Sequence, residues 1–80
     1  MKVDQKGHTT TIKDTQGNVN SFLEKVTQQH NSFKSQNLIL DITHNKDVTL
    51  KDIKLFSDLS KAHKKEKKSL FFVNLFSFSL

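Results

Sequence analysis

The chain has 80 residues, one small domain's worth, near the lower limit for a self-sufficient core. It contains no cysteine or proline and two glycines, which excludes disulfides, thiolate-bound metal and a glycine-rich phosphate loop. The net charge is +5, carried by thirteen lysines and no arginine, so the forked contacts that read guanine edges or grip phosphates are not encoded. A solvated basic surface is the first expectation, with sequence-independent attraction to polyanions the second.

Residues 2–6 and 9–14 have the composition of two short strands. Val3, Thr9, Thr10, Thr11 and Ile12 favour pleated backbone, and Gly7-His8 between them predicts a tight turn. With so few large apolar side chains, this hairpin must lean on the rest of a sheet. Gly17-Asn18 breaks the chain, and a helix follows. Ser21 and Glu24 have capping-box spacing, and Val19, Phe22, Leu23, Val26 and Phe33 recur every three to four residues, predicting a helix to about Lys34.

Leu38-Ile39-Leu40-Asp41-Ile42 is an apolar run of strand length, as expected of a central strand covered on both sides. Thr49, with Asp52 three residues on, predicts the start of a second helix. Its buried stripe is read as Leu50, Ile53, Phe56 and Leu59, with Leu55 and Ala62 beside it. The helix ends in the basic tract Lys61-Ala62-His63-Lys64-Lys65-Glu66-Lys67-Lys68, where positive charge meets the negative end of the helix dipole. Leu70 to Val73 reads as a further buried strand. The expected fold is α/β, in the order β-β-α-β-α-β, a mixed sheet with helices mainly on one face. The last crossover should be right-handed and parallel.

This layout, together with NLILDITHNKDVTLKDIKLFSDLSKAHKKEKKSL, resembles the core of small bacterial STAS-like proteins, related in fold to anti-sigma factor antagonists. The likeness covers roughly residues 1 to 73. It implies one STAS-like domain over residues 1–80, with 74–80 atypical. It also implies a non-catalytic module that binds a partner protein, switched by phosphorylation at the start of the helix after the central strand. Thr49 matches that position, with Asp47 and His44 on the same loop. The family's Asp-Ser-Ser-Gly pattern is absent, and a helix cap alone accounts for Thr49. The opening MKVDQKGHTTTIKDTQGNV resembles one group of these short chains, some of which carry the label ribonuclease Z. That activity needs a His-x-His-x-Asp-His metal motif. His8, His30, His44 and His63 are too far apart to form one, so neither a metal nor another cofactor is expected.

Asp41 and His44 lie at the end of the central strand, where ligands often bind in parallel sheets. Without a nucleophile or a second acidic group in register, they read as surface loop residues, and no enzyme is expected. Ser57, Ser60 and Ser69 have no base at a recognisable spacing. Lys61, Lys64, Lys65, Lys67 and Lys68 form a candidate nucleic-acid patch, but no aromatic side chain is interleaved for base stacking.

Eight of the last twelve residues are large and apolar, and four of the seven phenylalanines follow residue 70. Three readings compete: a long strand in which Phe76, Phe78 and Leu80 alternate with Ser77 and Ser79, pairing with a second molecule, or a truncated or frameshifted end. A homodimer formed through this tail, with Phe72, Phe76 and Phe78 at the contact, is the preferred expectation. The eleven residues from Leu70 are too few for a membrane-spanning helix, which needs roughly twenty. No leader is apparent, so a soluble cytoplasmic protein is expected.

Overall fold

A computed structural model describes residues 1–45 and 48–73. The predicted hairpin forms from β1 (Lys2–Lys6) and β2 (Thr9–Lys13), antiparallel, with Lys6 opposite Thr9 and Val3 opposite Ile12. Gly7 opens the turn at φ 59°, a left-handed conformation that glycine takes without strain. Every residue of β1 is exposed, so this strand is held by its ladder rather than by burial.

Helix α1 (Val19–Gln28) starts earlier than the Ser21–Glu24 spacing predicts. Asn18, in extended conformation, is the cap, and its side chain accepts from the Ser21 N–H at 3.1 Å. Val19 must be buried, which places the first turn at Val19 rather than at Ser21. The helix also stops short of Lys34. It breaks at Gln29 (φ −101°, ψ 10°), and a single turn, α2 (His30–Phe33), follows. Between Val26 and Phe33 no apolar residue ties the helix to the core, and the intervening Gln-Gln-His-Asn-Ser run has poor helix formers in its second half.

Strand β3 (Asn37–Asp41) pairs parallel with β2, and β4 (Leu70–Val73) pairs parallel with β3, giving a four-stranded mixed sheet in the order β1-β2-β3-β4. Between them runs α3 (Leu50–Lys64), which opens with the predicted reciprocal box: Thr49 Oγ1 accepts from the Asp52 N–H at 3.2 Å, and the Asp52 carboxylate accepts from the Thr49 N–H at 3.0 Å. Both parallel connections step the same way across the sheet. Crossovers of one hand therefore place their helices on one face, and α1 does pack against α3.

The core lies between these two layers. Ile12, Leu38 and Leu40 point into it from the sheet, Val19, Phe22, Leu23 and Val26 from α1, and Leu59 from α3. The alternate face of the sheet carries Thr11, Ile39, Phe71 and Val73, in register across β2, β3 and β4. Ile39 is only half-buried and Phe71 is 61% exposed. Among the described residues, the central strand is thus covered by helices on one side, not two. In α3 the fully buried stripe is Asp52, Leu59 and His63, with Ile53, Leu55 and Phe56 half-buried. Leu50 and Ala62, expected inside, lie on the surface. Among the described residues no helix is long and apolar enough to cross a membrane.

Candidate functional site

Two loops meet at the C-terminal ends of β2 and β3. The first carries Asp14, whose N–H continues the ladder to the Asp41 carbonyl at 3.0 Å. Its carboxylate is 2% exposed and accepts from the Gln16 N–H at 2.9 Å and from Asn45 Nδ2 at 2.6 Å. Asn45, itself buried, belongs to the second loop, where its N–H bonds back to the Ile42 carbonyl at 2.9 Å. One buried amide therefore ties the loop before α1 to the loop before α3.

Asp41 is held differently. Burial opposes its ionisation, but the Thr43 N–H at 2.9 Å, the Thr43 hydroxyl at 2.7 Å and the charge of Lys13 outweigh it. The net result is a carboxyl below the ordinary range. Its hydrogen bonds are to Thr43, not to His44, so the Asp41–His44 proton-transfer pair is not assembled. His44 is exposed and flanks Gly17, whose φ of 77° lets the first loop turn beneath it. Among the described residues no three His, Asp or Glu side chains gather as a metal-ligand set.

Thr49, at the start of α3, and His44, in the loop after β3, are both exposed. Asp47 lies outside the described residues. Beside Thr49, Leu50 is 80% exposed, the most exposed large apolar side chain described. Its chain neighbours are an ammonium (Lys51) and a hydroxyl (Thr49), both exposed.

The basic tract sits at the other end of α3, about 22 Å away for fifteen residues at 1.5 Å each. Lys61, Lys64 and Lys65 are exposed on the last turn, Lys67 takes φ 59° in the turn that follows, and Lys68 is half-buried. Lys51, Lys54, Lys61 and Lys65 repeat at three-, seven- and four-residue steps, and all are exposed, so the ammonium groups continue along the outer side of the helix.

The C-terminal apolar stretch is corrected at Phe72. Its ring packs on Phe56 of α3, centroids 4.2 Å apart, so it faces the helix layer and is not a free contact for a second molecule. Phe71 has that exposure instead. Phe76 and Phe78 lie outside the described residues.

Sequence reading missed one constellation. His63, in the buried stripe, and His30, first residue of α2, approach to 2.7 Å, Nδ1 to Nε2, beside a cleft of about 380 Å³ between α1 and α3. They are 33 positions apart, so no local motif links them. The readable signal was His63 standing four residues after Leu59, in line with the apolar stripe. No family model, curated protein or solved structure matches the chain.

Proposed function

We propose that this chain is a non-catalytic protein-interaction module of STAS type, acting in the cytoplasm, whose docking surface is the end of the molecule where α3 begins. The observation that carries this reading is Leu50. An apolar side chain left 80% exposed at the first position of a capped helix, and flanked by polar groups, has the makeup of a contact centre. The carboxylates of Asp14, Asp41 and Asp52 at this end are already committed to Asn45, Gln16, Thr43 and Thr49, so none of the three is left as a free base.

Thr49 supplies the switch in this reading. Its hydroxyl is exposed yet accepts from the Asp52 N–H, while the Asp52 carboxylate returns the bond. A phosphate on Thr49 adds roughly −1.5 to −2 charge beside that buried carboxylate. The helix dipole favours the added charge, but Asp52 repels it, so the first turn of α3 loosens and Leu50 is re-presented. Self-association belongs to the same reading, with Phe71 and Val73 on the open sheet face as its contact. The test compares proteins captured from the native cytoplasm by the wild-type chain, by Leu50→Glu and by Thr49→Glu. A specific protein retained by wild type and lost with Leu50→Glu is expected. An identical set on all three baits overturns the reading.

The exposed lysines of α3 favour a second reading, sequence-independent binding of nucleic acid. Retention on random-sequence RNA at low salt that falls steeply as salt rises is its signature. No retention even at low salt removes it.

A further inference from the structure

We propose that His30 and His63 form a one-proton latch, which holds α2 and the last turn of α3 against the start of β3 at neutral pH and lets that end of the molecule open in acid. The geometry fixes the protons. His63 is fully buried, and its Nε2 lies 2.8 Å from the Gln36 carbonyl oxygen. A carbonyl only accepts, so that nitrogen carries a hydrogen. In the neutral ring Nδ1 is then the acceptor, and the hydrogen in the 2.7 Å contact belongs to His30 Nε2. The result is a directed chain, His30 to His63 to the Gln36 carbonyl, with the rings edge to face at 5.0 Å. It joins α2, the last turn of α3 and the residue before β3.

One extra proton fits this arrangement. It sits on the outer nitrogen of His30, or on His63 if His30 moves its own hydrogen to Nδ1. A second proton does not fit, because two N–H groups would then face each other at 2.7 Å. Once the latch opens, each ring takes up its own proton. The closed form therefore binds one proton fewer than the open form, and its equilibrium constant falls about tenfold per pH unit below the histidine range, near 6.5.

The surroundings act in the same direction. Burial is the largest influence on His30, and it works against the charged ring, as do His63 and Lys34, while Glu66 beyond α3 favours charge. The net direction is down. From α3, Asp58 lines the same cleft, whereas α1 contributes the uncharged Thr27 and Gln28. A base whose folded form resists protonation gives stability that is complete above its unfolded pKa and is lost as pH falls. His30 is half-buried at the edge of the cleft, so solvent protons reach it without unfolding the core.

Amide hydrogen exchange at pH 7.5 and pH 5.5, corrected for intrinsic rates, tests the latch. In the wild-type chain, protection over 30–36 and 60–66 should fall about tenfold, while 22–26 and 38–41 hold theirs. His30→Gln and His63→Gln each leave one titrating ring opposite an amide that can donate or accept, so both should flatten the pH dependence. If His63→Gln fails to fold, the half-buried His30→Gln carries the comparison alone. Wild-type pH dependence retained in His30→Gln overturns the proposal, as does a wild-type chain whose two rings both become charged with protection over these segments unchanged.

Discussion

Asn45 carries more of the fold than its size suggests. Its amide is the side-chain donor to one oxygen of the buried Asp14 carboxylate, at 2.6 Å. Asn45→Ala removes that donor and leaves the oxygen buried, which costs about 1–3 kcal/mol. Asn45→Asp places two carboxylates in contact, so urea denaturation should show a larger loss for it than for Asn45→Ala. Equal losses would mean that Asp14 finds a substitute donor. Sequence reading reached the Thr49–Asp52 box because its two halves are three residues apart and the motif is local. It could not reach Asp14–Asn45 or His30–His63, whose partners lie 31 and 33 positions apart and meet only after the sheet has formed. Leu50 was misplaced for a related reason. Helical periodicity puts it in line with the apolar stripe, but at the first position of α3 it lies beyond the packed layer and is 80% exposed.

At the scale of elements, the strands and their order were legible, whereas the extent of burial on each face was not. An apolar run predicts a strand equally well whether one face or both are covered, and Ile39 is the residue that distinguishes the two cases. Strand β4 makes the difference testable, because its neighbouring phenylalanines point to opposite faces. Phe72 stacks on Phe56 beneath α3, whereas Phe71 stands on the open face. Phe72→Ala should therefore destabilise by about 1–3 kcal/mol in thermal or urea unfolding. Phe71→Ser should change stability by no more than about 0.5 kcal/mol while reducing self-association in light scattering. Similar unfolding penalties for the two variants would contradict this assignment of faces. The break after α1 follows from the same physics. A helix persists in a small protein where an apolar stripe holds it to the core, and the stripe lapses between Val26 and Phe33.

Over the whole molecule, the α/β class and the mixed sheet follow from the alternation of strand-like and helix-like segments, and the one-sided helix layer from the common hand of its crossovers. Positive charge is distributed along the length of α3, from Lys51 beside Leu50 to Lys65 at its far end, rather than gathered at one point. The strand order also bears on how the chain reaches its native state. Each strand pairs with the one made just before it, from β1 through to β4. Among the described strands none has to insert between two that have already joined, so assembly can advance from one edge to the other as synthesis proceeds, each parallel closure spanning the helix between its two strands. The chain also has no proline to isomerise. Stopped-flow refolding from urea should therefore be a single exponential, unchanged by added prolyl isomerase. A populated phase lasting tens of seconds would show that the sheet does not grow in chain order.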